Sequence, residues 1–237
     1  TQRMRDIINK QVTEEELRRT CRIAFEGGWL NIKLYFMIGL PFETMEDVAG
    51  IAQLAQMVVD TYYNLENRPK GKSPKVTISV ATFIPKPFTP FQWAGQDTAP
   101  EVDAKIALLK SCIRSRKINF NYHDRRTSYF EAVLARGDRR LGPAILRAFE
   151  LGAKFDGWES HFNLDTWMEA FAQTGVDPDF FATRVKSYDE LLPWDFIDCG
   201  VSKAHLVREA EKAKQAITTP NCRQQCPGCG ADKLTGG

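Results

Sequence analysis

No apolar run in this chain approaches the roughly 20 residues needed to span a bilayer. Its opening residues, Thr1-Gln2-Arg3-Met4-Arg5-Asp6, are polar where a secretory leader would turn apolar. Neither sign of charge dominates: 32 Lys and Arg stand against 30 Asp and Glu, a net charge of +2. That balance makes no electrostatic case for nucleic acid or a membrane surface. No internal repeat is visible, which excludes a solenoid. Cysteine is sparse until the end, and three of the six cysteines fall in the last sixteen residues. Clustering of that kind suits metal binding in a reducing compartment better than a disulfide framework, so the expected location is cytoplasmic. Cys21 and Cys112 lie on or beside apolar stripes and read as packing thiols.

What is present is a length of 237 residues, enough for a sizeable core, and a β/α half followed by a mainly helical half. Thr13 with Glu16 forms a capping box that opens a helix whose apolar face is Leu17, Cys21, Ala24 and Phe25. A strand follows at Ile32 to Ile38, and its unbroken apolar run from Leu34 predicts burial on both faces, as in a parallel sheet. The run stops at Gly39-Leu40-Pro41-Phe42-Glu43 and re-opens as a helix capped by Thr44, with Glu46 and Asp47 where the helix dipole favours negative charge. A ligand can approach backbone around Gly39, where no side chain stands in the way. After a basic loop from Asn67 to Lys75 comes a second strand, Val76 to Ile84, so that strand, helix and strand make a parallel crossover unit.

Pro85, Pro87 and Pro90 then force an extended loop that ends on Phe91-Gln92-Trp93. It lies at the carboxyl end of a strand, where α/β barrels carry their active sites. The alternative is a surface loop whose aromatic residues cover the core. Beyond Thr98 the pattern predicts helices over 100–116, 129–136, 141–151 and 165–173, a short strand at 117–122, and a last helix from Ser202 with Val201 and Leu206 at staple spacing. Trp158, Trp167 and Trp194 are the aromatic anchors of a docked module. The expected divisions are 1–97, 98–217 and 218–237, with Leu234 to Gly237 as a frayed end.

In the tail, Cys226-Pro227-Gly228-Cys229-Gly230 is a knuckle in which two thiolates turn to one side and amides point at the sulfurs, with Cys222 upstream. Zinc or iron suits it. Cys199 is the first candidate for a fourth ligand, with His205 and His161 behind it. His123 beside Asp124 could act as an acid and base pair, and the arginines from Arg125 to Arg140 could hold phosphate, so a nucleotide or RNA partner is a second reading.

The Gly39 turn, Thr1 to Lys10, Pro85 to Trp93, Asn121-Tyr122-His123-Asp124 with Arg136-Gly137-Asp138-Arg139-Arg140, Asp156-Gly157-Trp158, Pro193 to Ser202 and the cysteine tail together resemble a family of uncharacterised radical S-adenosylmethionine (radical SAM) proteins. Members of that family usually carry an amino-terminal cobalamin-binding-like domain before the barrel. The resemblance implies an α/β fold: a partial, later-strand radical SAM β/α barrel followed by a mainly helical region and a cysteine knuckle. It implies that Gly39, Leu40, Pro41, Glu43 and Pro85 hold S-adenosylmethionine, and that a [4Fe–4S] cluster cleaves it to an adenosyl radical acting on an unidentified substrate.

The family's early cluster motif has no counterpart here. The tail spacing C-x3-C-x2-C matches it in form, but these cysteines come late and Gly228 stands where the family has an aromatic residue. An auxiliary iron–sulfur or zinc site is the better expectation for them. The chain thus reads as the later part of a longer protein, inactive by itself, that needs the missing amino-terminal half.

Overall fold

The computed structural model describes residues 1–68 and 71–231; the expected frayed end at Leu234 to Gly237 lies outside them. Two compact units divide the chain. The first holds Thr1–Thr82, Ala99–His123 and Glu209–Pro227; the second holds Phe83–Thr98, Asp124–Arg208 and the residues from Gly228.

In the first unit, α1 (Gln2–Ile7) and α2 (Glu14–Glu26) precede β1 (Asn31–Ile38), α3 (Met45–Tyr63), β2 (Lys75–Thr82), α4 (Ala99–Cys112) and β3 (Ile118–Tyr122). The three strands form one open sheet in the order β1-β2-β3, with both pairings parallel. No barrel closes among the described residues. Both expected helix starts are built as the sequence dictates: Thr13 and Glu16 bond each other's backbone amides at the start of α2, and Thr44 and Asp47 do the same for α3.

One sheet face is packed. Val76, Ile78 and Val80 of β2, Ile38 of β1 and Val48, Ala55, Val58 and Tyr62 of α3 are almost wholly buried, with Phe25 of α2 and Leu109 of α4 in the same cluster. The opposite face is bare, which differs from the burial on both sides expected of β1. Tyr35 is 74% exposed and Met37 41%, because alternate side chains of that apolar run turn away from the helices.

The second unit contains α5 (Arg125–Arg136), a 3₁₀ turn (Arg139–Leu141), α6 (Gly142–Glu150), α7 (Leu164–Thr174), α8 (Pro178–Ala182) and the first part of α9 (Lys203–Lys214). Phe130, Val133, Leu141, Trp167, Phe171 and Phe181 form its main core, and Trp93, Leu192, Trp194 and Leu206 a second cluster against which Val201 packs. Trp167 and Trp194 are therefore the buried anchors, whereas Trp158 is 70% exposed. The proline loop belongs to this unit. Gln92 is buried and its carbonyl accepts from Trp194 Nε1 (2.6 Å) and from the Phe88 amide (3.0 Å), which ties the loop to the Trp194 cluster.

Arg136 is the most deeply buried polar side chain of the second unit, with no exposed surface. Its guanidinium donates to the carbonyls of Phe181, Ala182 and Arg184, and Lys186 Nζ donates to the Arg136 carbonyl at 3.1 Å. The chain is so close here that a Cβ on Gly95 would meet the Thr183 carbonyl oxygen at 1.9 Å.

Candidate functional site

The Gly39 turn is built around one buried carboxylate. Gly39 takes φ +79°, open to glycine at little cost, and Phe42 takes φ +67°, which L side chains adopt under strain. Glu43 reaches back to accept the Gly39 amide at 2.8 Å and pairs with Lys105 of α4 at 2.8 Å, with only 3% of its side chain exposed. The amide expected to meet a ligand is thus already bonded inside the protein, and Glu43 fixes the turn from within.

Arg3 clamps the same turn from α1. Its guanidinium donates to the Phe42 carbonyl at 2.8 Å and pairs with Asp47. Burial works against charge on Asp47, but bonds from Arg3, Thr1 and Thr44 outweigh it and hold the carboxyl well below the usual carboxylate range.

A cavity of about 580 Å³ lies beside this turn, lined by Leu40, Glu43 and Asp47, by Met4 and Arg5 of α1 with Ile8 just after it, by Leu17 of α2 and by the consecutive residues Leu34 to Met37 of β1. Its volume is in the range of small-molecule sites. Because β1 is an edge strand and both its faces contribute, the cavity also runs along an unpaired strand edge.

The bare sheet face adds a surface that the sequence reading passed over. Strand register aligns three rows across it: Lys33, Thr77 and Asn119; Tyr35, Ser79 and Asn121; and Met37 with Ala81, next to which His123 continues β3 by donating its amide to the Val80 carbonyl at 3.0 Å. Among the described residues the side chains of Thr77, Ser79, Asn119, Asn121 and His123 make no hydrogen bond, and none of the aligned residues is acidic. The signal was in the sequence: β2 reads Val76, Ile78 and Val80 inward with Thr77, Ser79 and Ala81 between them, and β3 alternates in the same way.

His123 lines the cavity, while Asp124 belongs to the second unit and is engaged elsewhere. Its carboxylate caps α5 by accepting the Arg126 amide at 2.8 Å and pairs with the Arg126 guanidinium. Burial opposes charge on Asp124, but the Arg126 bonds prevail and lower its pKa. Asp138 repeats the arrangement with Arg140, and Arg184 pairs with Glu190. Arg126, Arg140 and Arg184 thus hold carboxylates of their own unit. Pro85, the remaining residue expected at the cofactor, is buried in the second unit.

The tail cysteines are free thiols. Cys222 and Cys226 are exposed, and Cys229 and Cys199 are half-buried. Within the second unit the Cys229 segment docks on the Cys199 loop: the Ser202 amide donates to the Cys229 carbonyl at 2.9 Å, and a Cβ on Gly230 would stand 3.1 Å from the Gly200 oxygen. The Ala231 amide donates to Cys229 Sγ at 3.4 Å, the type of amide–sulfur contact expected of a knuckle. His205 is nearby in sequence, with Nδ1 buried and without a partner, whereas His161 lies by the Phe155 ring. No group of three metal-ligating side chains converges among the described residues, so the arrangement does not fit a metal ion or an iron–sulfur cluster as it stands.

No family model matches the chain, and no solved structure matches it. It is similar to an uncharacterised protein of Methanocaldococcus jannaschii, 27% identical over 176 residues that make up 74% of this chain and 37% of that protein. The matched stretch therefore spans little more than a third of the relative's length.

Proposed function

We propose that this chain is the later portion of a radical S-adenosylmethionine enzyme, its three parallel strands being one arc of a β/α barrel. The observation that carries the reading is the half-covered sheet. Parallel strands are ordinarily covered on both faces, yet here helices cover one face, the other presents polar side chains, and the β1 edge opens into an apolar cavity. Such a sheet is suited to further strands joining at β1, with the polar face turned inward. A relative much longer than the matched stretch accords with this.

In this reading the Gly39 turn and cavity hold S-adenosylmethionine, whose cleavage supplies an adenosyl radical. The residues of this chain shape and orient that site. Glu43 and Lys105 fix the turn, and Arg3 with Asp47 fixes the entry to α3. His123 stands where the sheet face and the cavity meet. The [4Fe–4S] ligands and any cobalamin belong to the earlier half.

The test joins the chain to the segment encoded upstream, reconstitutes it anaerobically with iron and sulfide, and adds dithionite and S-adenosylmethionine. 5′-Deoxyadenosine should form with the joined protein and not with this chain alone. A joined protein that carries its cluster but yields none would overturn the reading.

A further inference from the structure

We infer that the bare sheet face is a binding site for a phosphorylated sugar, either free or as the ribose phosphate of a nucleotide. The inference names a substrate class for the surface that the proposed barrel would enclose, and in that respect it rests on the reading above.

Three features select the ligand. Thr77, Ser79, Asn119 and Asn121 are hydroxyls and amides, each able both to donate and to accept, and none has a partner among the described residues. They stand about 4.8 Å apart across strands and about 6.6 Å apart along them. That grid can meet several hydroxyls of one small molecule, and such groups match hydroxyls better than they match apolar surface.

Charge is the second feature. The only formal charge in the three rows is Lys33; in the cavity that Tyr35 and Ser79 also line, Arg5 and Lys10 add positive charge, and the carboxylates of Glu43 and Asp47 are held by Lys105 and Arg3. An anionic group is therefore favoured at the Lys33 end, while His123 stands at the other end of the face.

Tyr35 is the third. It lies between the polar rows with 74% of its surface exposed, and Lys33 Nζ sits 4.8 Å from its ring centroid. Exposure alone does not set this ring apart, since Trp158 is 70% exposed; its place in a row with the unbonded side chains of Ser79 and Asn121 does. One ring face meets the lysine, and the remaining surface is a platform for a sugar ring or a base.

Ribose 5-phosphate, adenosine 5′-monophosphate, ribose and inorganic phosphate are titrated by calorimetry and by NMR into the purified full chain. Ribose 5-phosphate should bind with Kd on the order of 1 mM or tighter and shift amides of β1, β2 and β3. Ribose and phosphate alone should each bind about tenfold more weakly or worse. The Lys33→Met change and the Ser79→Ala/Asn121→Ala double change should each weaken binding by about tenfold, whereas Lys110→Gln, on α4, should leave it unaltered. Adenosine 5′-monophosphate binding more tightly than ribose 5-phosphate, and losing that advantage in Tyr35→Ala, would identify a nucleotide; equal affinity would identify the free sugar phosphate.

Absence of binding, phosphate binding as well as ribose 5-phosphate, or indifference to the face variants would overturn the proposal. Binding retained in a protein that forms no 5′-deoxyadenosine would discard the radical chemistry and keep the site. Radical formation without binding would do the reverse.

Discussion

The second unit and the sheet face of the first treat their polar side chains in opposite ways, although the Gly39 turn of the first is held by the pairs Glu43–Lys105 and Arg3–Asp47. In the second, Arg126, Arg140 and Arg184 pair with carboxylates, and buried Arg136 and Lys186 bond backbone carbonyls. In the first, a row-by-row array of hydroxyls, amides and an imidazole on the sheet makes no hydrogen bond among the described residues. Dense charge thus marks the place where the chain holds itself together, and unbonded neutral polar groups mark the place where it can hold something else.

The sharpest way to break this comparison is at Arg136. Its three carbonyl acceptors on 181–184 have that guanidinium as a donor, and its stem fills a fully buried position. Arg136→Ala should destabilise the second unit by about 3 to 5 kcal/mol, through carbonyls left unsatisfied and lost packing of the stem. Urea unfolding, with hydrogen exchange in α5, α7 and α8, checks this. A loss under about 1 kcal/mol would mean that the buried arginine is not structural.

Next in size is the response to pH. Burial, with Arg136 nearby, pushes the Lys186 ammonium down to about 8 from its ordinary 10.5. In the folded state this lysine binds fewer protons than in the unfolded chain between those two values, so stability rises as pH increases from 8 to 10.5. The gain should be on the order of 2 kcal/mol. It is read as the difference in urea midpoint between the unaltered chain and Lys186→Met at each pH, which removes the contribution of other titrating groups. Equal slopes in the two proteins would remove Lys186 as the cause.

Much of the first unit was legible because its signals are local. Thr13 with Glu16, and Thr44 with Asp47, announce helix starts within four residues, and the strands expected at 76–84 and 117–122 form at Lys75–Thr82 and Ile118–Tyr122, the first of them two residues shorter at its end. Two features were hidden from the sequence for physical reasons. β1 read as buried on both faces because Tyr35 and Met37 are apolar in character, and sequence cannot say that nothing covers them. Asp124 read as an acid or base because it adjoins His123, although the spacing Asp124-Arg125-Arg126, repeated at Asp138-Arg139-Arg140, is that of a cap chelating the arginine two residues on. The helix at Pro178–Ala182 is one turn long, too short for a periodic signal, and the Arg136 bonds span 45 residues or more of sequence, beyond any local pattern.

The smallest expected effect is the most informative about the first unit. If the polar side chains of the sheet face have no part in folding, then Thr77→Val, Ser79→Ala and Asn121→Ala should each change stability by no more than about 0.5 kcal/mol, as substitutions of surface groups without partners do. Thr77→Val should be neutral or slightly stabilising, since valine suits a strand and no hydrogen bond is lost. Thermal melts of the three single variants decide the point. A loss above about 1 kcal/mol at any of them would mean that the side chain has an internal partner after all. The face would then be a structural layer like that of the second unit, and the contrast between the two units would fail at its more functional end.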